Sequence, residues 1–256
     1  MAKVSIMTLE KAPVVSGAGD EGVETRAYFT GSKDPIHTHV HCLRPGAAIR
    51  VEGQPADRAV YVWQGSAEAG GVQLDTQSSV IAEYGSAIEI TGGSEGATLI
   101  EFNLAERRPE SRAGGHVHLL PADRVPRLGN MEGLIEAGGA LHADAHCPTC
   151  ELWLHENDFF VPDRHTALHS HSEDEVIFIT GGSMRLGAQL HGPGSAVAIH
   201  AETKYKFDVG PEGLQFINFR GATPSYTPAD GSAPLDSTKF WREKLGSPPY
   251  LEPQAG

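Results

Sequence analysis

The stretch Leu168–Gly182, LHSHSEDEVIFITGG, carries the information that decides the fold. Two histidines stand two residues apart, a glutamate follows four residues later, and an apolar run then ends in Gly-Gly. In an extended chain, side chains at even separations share a face. His169, His171 and Glu175 therefore converge if this segment is a strand leading into another strand. Imidazole and carboxylate together suit a divalent transition metal. Spacing alone also allows a solvated polar turn before a strand.

The same layout occurs once more. RPGAAIRVEGQPADRAVYVWQG (44–65) aligns without a gap on VPDRHTALHSHSEDEVIFITGG (161–182), pairing Pro45 with Pro162 and Gly65 with Gly182. VSIMTLEKAPVVSG, from Val4, echoes VHLLPADRVPRLG, from Val117, and YGSAIEI (84–90) resembles PGSAVAI (193–199). A repeat of this length predicts two related halves, with a polar Pro/Gly linker near 106–115. Domains are expected at 1–110 and 111–221, with a Pro-rich tail at 222–256. Within each half, short period-two runs such as AVYVWQG, ELWLHENDFF, EVIFITGG and LQFINFRG alternate with Gly, Pro or Asp turns. The chain has 30 Gly and 17 Pro in 256 residues, a mix suited to short strands and turns. The one helix expected is DSTKFWREKLG (236–246), capped by Asp236 or Ser237, with Phe240 and Trp241 to dock it. The prediction is an all-β protein of two tandem jelly-roll barrels with one short C-terminal helix.

Acidic residues outnumber Lys plus Arg by 33 to 20, a net charge of -13. That argues against nucleic acid or an anionic membrane as partner. No apolar run has membrane-spanning length, the N-terminus shows no apolar signal region, and three cysteines are too few for a disulfide framework. A cytoplasmic protein, monomeric or homodimeric, acting on a small molecule is the expectation.

The second half resembles the cupin superfamily, whose first motif runs roughly G(X)5HXH(X)3-4E(X)6G. His169, His171, Glu175 and Gly182 fill it, and Asp163 stands where the leading glycine belongs. Of the second motif, roughly G(X)5PXG(X)2H(X)3N, Gly194 fits the start. His200 and Glu202 hold the Pro-x-Gly places, and Tyr205 replaces the last histidine. The resemblance covers roughly residues 27–105 and 135–221. It implies a bicupin with a divalent metal on His169, His171 and Glu175. Tyr205 would be a fourth ligand or a hydrogen-bonding neighbour, and His200 is its rival. Iron comes first, with zinc, manganese or nickel as alternatives. In the first half the same frame places Glu52, Gln54 and Arg58 opposite His169, His171 and Glu175, with Gly96 at the Tyr205 place. That barrel is expected to have lost its metal.

Other clusters admit plainer readings beside functional ones. Trp153, His155 and Asn157 share a strand face, as do Phe216 and Asn218. If those faces line the barrel, they are substrate contacts, and His155, like Tyr205, is a candidate acid or base; an outward polar edge is the plainer alternative. His37, His39 and His41 suggest a polar face rather than a second metal site. Cys147 and Cys150, with His146 and His142, could bind zinc, form a redox pair, or be simple buried thiols. The function expected is a metal-dependent enzyme, foremost a non-haem iron dioxygenase-like oxidoreductase. A lyase or isomerase of the same fold and a non-catalytic small-ligand binder are the alternatives.

Overall fold

The structure, a computed structural model, describes residues 3–16, 22–107, 112–129, 137–144 and 147–254. Its first strands are β1 (Val4–Met7), β2 (Val14–Ser16), β3 (Val23–Tyr28), β4 (Ile36–Leu43) and β5 (Ala48–Glu52). They are followed by β6 (Arg58–Ala69), β7 (Val72–Asp75), β8 (Ser79–Ala82), β9 (Ala87–Leu104) and β10 (Val117–Leu120). The second half holds β11 (Arg127–Leu128), β12 (Ala137–Ala143), β13 (Trp153–Phe159), β14 (His169–His171) and β15 (Glu175–Leu186). Then come β16 (Gln189–His191), β17 (Ala196–Ile199), β18 (Asp208–Arg220), β19 (Ser225–Pro228), β20 (Leu235–Asp236) and the helix α1 (Ser237–Leu245). The all-β expectation with one short helix is met. Asp236 caps α1, its Oδ1 accepting from the Lys239 N–H at 3.0 Å, and Trp241 packs on Ala137, Leu141 and Trp153. The side chain of Phe240 lies outside the described residues.

The chain forms two compact units. The amino-terminal unit is built on a nine-stranded sheet in the order β10-β8-β6-β9-β4-β3-β2, with β5 on β9 and β7 on β6. The carboxy-terminal unit has an eight-stranded sheet, β1-β17-β15-β18-β13-β12-β11 with β16 on β15, and a three-stranded sheet, β14-β19-β20. Neither follows the contiguous boundaries read from sequence. Residues 1–9 belong to the carboxy-terminal unit, because β1 pairs antiparallel with β17. Residues 10–125 belong to the amino-terminal unit, where β10 pairs with β8. Segments 147–151 and 248–256 also belong to it. The echo between Val4 and Val117 is thereby explained: each begins the strand that edges one sheet, beside equivalent partners β17 and β8.

The strand registers correct two details of the repeat. Arg58 pairs with Ala82 on β8, and Glu175 pairs with Ile199 on β17. The gapless frame thus runs on through β8 and β17, so YGSAIEI is not the counterpart of PGSAVAI. Glu52 pairs with Ala87, whereas His169 bridges to Tyr205, so Ala87, not Gly96, stands at the Tyr205 place. Gly96 instead matches Gly213. Each faces the glycine that closes the repeat: a Cβ on Gly65 would meet the Gly96 carbonyl oxygen at 2.3 Å, and one on Gly182 the Gly213 oxygen at 2.3 Å. Both closing glycines also have positive φ, +74° and +61°. Only glycine fits such a bulge without strain.

Each unit has its own apolar core. In the amino-terminal unit Val51, Val60, Leu74, Ile90, Leu99 and Leu119 lie in one buried cluster. In the carboxy-terminal unit Ile177, Ile179, Met184, Val197, Phe207 and Phe216 lie in another. Each such side chain contributes roughly 1.5–3 kcal/mol on burial, which holds the register that aims the polar side chains inward.

Candidate metal centre and its surroundings

The sequence around His169 folds into a strand held on both sides. On one side His169 exchanges backbone hydrogen bonds with Tyr205, at 3.1 and 2.9 Å. On the other, β14 pairs with β19, setting His171 opposite Tyr226. The rings gather as the even spacing predicts. The His169 centroid lies 5.0 Å from His171, 4.5 Å from Tyr205 and 4.7 Å from Tyr226. Tyr226 comes from the segment expected to be a tail, and nothing in its spacing announces it.

Both imidazoles are oriented by their Nδ1 atoms, that of His169 on the Ala167 carbonyl (2.8 Å) and that of His171 on the Ser225 carbonyl (3.0 Å). A carbonyl accepts, so Nδ1 carries the proton and Nε2 presents its lone pair. This is the usual outer-shell support of a metal-binding histidine. Burial lowers the pKa of both rings, and with the added repulsion of Arg220 it brings His171 down to about 3. Both are therefore neutral near pH 7, the form that ligates.

Glu175 opens β15 and is fully buried. In an antiparallel ladder, residues directly opposite share a face. Glu175 faces Arg220, Ile177 faces Asn218, and on the other flank of β18 Trp153, His155 and Asn157 face Arg220, Asn218 and Phe216. All these positions therefore share one face of the sheet. Asn218 Nδ2 donates to Glu175 Oε2 at 2.7 Å, and Arg220 Nη2 donates to the same oxygen at 2.5 Å. The Tyr205 phenol lies near enough to Glu175 to favour its ionised form. Burial would raise the Glu175 pKa, but Arg220, His171, Tyr205 and Asn218 outweigh it and keep the carboxylate ionised. Burial and the adjacent Glu175 charge push the Tyr205 phenol well above its ordinary value, so it stays protonated.

Three buried polar atoms of this cluster have no hydrogen-bond partner: Glu175 Oε1, Asn218 Oδ1 and Arg220 Nε. Two of the three are acceptors, and the free Nε2 lone pairs add two more. Such an excess of buried lone pairs fits a bound cation. Against this, Arg220 already neutralises Glu175. Among the described residues, the group of His, Cys, Asp or Glu whose ligand atoms all lie within 4.8 Å of one another is Glu83, His118, Cys147 and Cys150. His169, His171 and Glu175 do not close to that spacing, because Arg220 and Asn218 hold the carboxylate. Glu175 would have to turn Oε1 toward the imidazoles to complete the set.

The other expected site residues divide. Asn218 joins the cluster. Phe216 is core, its ring packed on Phe159 and Phe207. His155 has both nitrogens occupied, with Trp153 Nε1 donating to Nδ1 and the Asn157 amide 2.8 Å from Nε2. Its ring lies against Trp153 and Trp241, and burial, then Arg220, depresses its pKa well below the ordinary value. It is a neutral packing group with no nitrogen free for proton transfer. His200 is half-exposed and turned to Asp174, with Nδ1 at 3.1 Å from Oδ1, away from the His169–His171–Tyr205 cluster. Arg220 was missed. Its signal was the alternation Phe216, Asn218, Arg220, which sets a cation on the inward face of β18.

The amino-terminal unit keeps a cavity of about 680 Å³ lined by Thr25, His39, His41, Arg58 and Glu101 among others. His41 meets Thr25 Oγ1 at 2.9 Å and Glu101 Oε2 at 3.2 Å, and Arg58 Nη1 donates to Glu101 Oε1 at 2.5 Å. The histidine triplet thus does have a carboxylate beside it, supplied by β9, sixty residues away in sequence. Glu52 is exposed and pairs with Arg50.

No protein-family model and no curated protein matches the chain. Solved structures do. The Lactobacillus farciminis oxalate decarboxylase formate complex aligns with TM-score 0.67 at 12% identity, over 93% of this chain and 90% of that one. A Bacillus subtilis oxalate decarboxylase aligns with TM-score 0.64 at 13%, over 92% and 80%. Protein Ylba from E. coli aligns with TM-score 0.65 at 12%, over 85% and 90%. At such identity the likeness shows the fold, and that fold is the cupin jelly roll.

Proposed function

We propose that the carboxy-terminal barrel is the catalytic site of a metal-dependent enzyme acting on a small organic molecule. His169 Nε2, His171 Nε2 and Glu175 Oε1 would hold the ion. The observation that carries this is the pair of buried, neutral imidazoles, each pinned through Nδ1 so that its lone pair is free, beside a carboxylate oxygen without a partner. One of the structures of similar fold is described by its Mn(II) centres, which agrees with this reading. A divalent ion there would polarise a bound carbonyl or carboxylate.

The chain's own groups define the rest. Arg220 offers a buried positive charge with an unsatisfied Nε–H, suited to an anionic substrate. Tyr205 holds a proton on its phenol beside Glu175 and can deliver it to a developing oxyanion or carbanion. Tyr226 on β19 stacks on His169 at 4.7 Å and lies edge-on to His171 at 5.6 Å. Sequence put dioxygenase chemistry first, and iron(II) on this set remains compatible with it. A phenol at this place, with the Tyr205 ring 4.5 Å from that of His169, favours the lyase or isomerase alternative, because such reactions need a proton donor at the reacting atoms.

The test is turnover on a panel of small keto acids, hydroxy acids and phenols, with and without dioxygen, for native protein and Tyr205→Phe. Proton-transfer chemistry predicts oxygen-independent turnover that falls by roughly 10²–10⁴-fold in Tyr205→Phe with metal retained. Oxygen consumption coupled to turnover would establish the dioxygenase form instead. Retained metal without turnover on any substrate would favour a small-ligand binder.

A further inference from the structure

Four side chains of the amino-terminal unit, none of them lining its cavity, converge on one point. Glu83 follows β8, His118 lies on β10, and Cys147 and Cys150 form the CxxC segment within residues 147–151 of the same unit. All four are buried. Cys147 Sγ lies 3.5 Å from His118 Nε2 and 3.6 Å from Glu83 Oε1, and His118 Nε2 lies 2.7 Å from Glu83 Oε1. We propose that Cys147, Cys150, His118 and Glu83 bind a structural zinc ion.

The geometry is that of a closed site. Ligands at roughly 2.0–2.3 Å from zinc in a tetrahedron stand about 3.3–3.8 Å apart. The Cys147 Sγ separations already fall in that range, Cys150 Sγ lies within 4.8 Å of the other ligand atoms, and the Glu83–His118 hydrogen bond must open by about half an ångström. Two sulfurs with one imidazole select zinc over the hard cations magnesium and calcium. Four protein ligands leave no open position, so the role is structural rather than catalytic.

The surroundings hold every ligand in place. The His116 N–H donates to Glu83 Oε2 at 3.0 Å and Thr149 Oγ1 donates to Oε1 at 2.5 Å. The Cys150 N–H points at Cys147 Sγ from 3.4 Å. Arg112 Nη1 donates to the carbonyls of both cysteines. The His118 ring stacks on Tyr250 at 4.7 Å, and its Nδ1 lies 3.3 Å from Glu252 Oε1 without a hydrogen bond. Two thiolates and a carboxylate exceed a divalent ion by one negative charge, and Arg112, shared with Glu151 at 3.5 Å, is the cation beside them. Binding requires both thiols and His118 Nε2 deprotonated and so releases protons. A redox dithiol is the rival, yet no helix starts at this motif to stabilise a lone thiolate. Hydrogen bonds from Cys150, His118 and Thr149 do hold the Cys147 thiol down, to about 4, but a bare dithiol leaves the convergence of His118 and Glu83 on the same point without a role.

Sequence suggested His146 and His142 as partners of the cysteines. His146 lies outside the described residues, and His142 instead bonds Glu156 at 3.1 Å in the other unit. The ligands that close the site come from the residue after β8 and from β10, far away in sequence.

The test is zinc content of the intact chain purified under reducing conditions. The expected result is one zinc that is released when the thiols are titrated with a mercurial, and that survives His169→Ala. Cobalt(II) in its place should give thiolate-to-cobalt absorption. Cys147→Ser and Cys150→Ser should lose the ion, and Thr149→Val should weaken it by roughly 10–100-fold in chelator competition. Should the cysteine variants fail to fold, mercurial release and the cobalt spectrum of the native chain decide the matter. A reduced, zinc-free native protein that takes up no zinc or cobalt, or a Cys147–Cys150 disulfide in the purified protein, would overturn the assignment.

Discussion

The two barrels place an arginine–carboxylate pair on the same two strands, with the signs exchanged. In the amino-terminal barrel Arg58 on β6 pairs with Glu101 on β9 at 2.5 Å. In the carboxy-terminal barrel Glu175 on β15 pairs with Arg220 on β18, also at 2.5 Å. Arg58 is the direct counterpart of Glu175, Glu101 of Asn218, and His39 occupies the register position of His155. What differs is the strand that would complete a metal site. β14 supplies two inward imidazoles and bridges to Tyr205, whereas β5 supplies Glu52, which points to solvent, and pairs with Ala87. One scaffold can therefore keep an interior charge pair while only one copy keeps the ligands. The pair belongs to the scaffold, and the chemistry belongs to the rim strand.

This comparison can be broken or sharpened by experiment. The largest effect is expected at the more enclosed pair, whose side chains are 1% and 4% exposed. Arg220→Ala leaves Glu175 charged and buried and should cost about 3–5 kcal/mol in urea unfolding. A loss below 1 kcal/mol would show that a cation or water already compensates Glu175.

Glu101 gives the next effect. Burial would raise its pKa, but the hydrogen bond to His41 and the charges of His41 and Arg58 bring it to about 2 from an ordinary 4.5. A carboxylate depressed on folding contributes stability that is complete above pH 4.5 and is lost as pH falls toward 2. The contribution is about 3 kcal/mol. Glu101→Gln should remove that part of the acid sensitivity, read as the difference between native and variant stability at pH 5 and pH 2.5. Parallel curves would contradict it.

Arg58 is one-quarter exposed, and Glu101 keeps His41 as a partner. Arg58→Ala should therefore cost less than Arg220→Ala, about 1–3 kcal/mol. The reverse order would remove the distinction between the barrels. Smallest is the exposed Arg50–Glu52 pair. Glu52→Ala should change stability by less than about 0.5 kcal/mol and leave metal content as it was, whereas a site shared by both barrels would lose metal.

What sequence could show was local or periodic. The period-two runs announced the strands, and the gapless repeat announced two related halves. The H-x-H-xxx-E spacing announced that His169, His171 and Glu175 would face inward. The DSTKFWREKLG pattern announced the helix and its Asp236 cap. What it could not show was who meets whom across the sheet. Arg220 reaches Glu175 from 45 residues away, Glu101 reaches His41 from 60, and Glu83 reaches Cys147 from 64. Those meetings depend on strand order and register, which short-range pattern does not encode. The same holds for β1 and β10, whose echo was visible but whose destinations were not. Inward alternation also overstated His155 and Phe216. Facing the interior is necessary for a catalytic group, but packing decides whether any polar atom remains free.

The most direct test counts metal ions per chain by mass spectrometry in native protein and in His169→Ala, His171→Ala and Glu52→Ala. The account predicts that either histidine variant loses the carboxy-terminal ion while the far-ultraviolet circular dichroism of the β-fold is kept, and that Glu52→Ala matches the native count. An unchanged count in both histidine variants would contradict it.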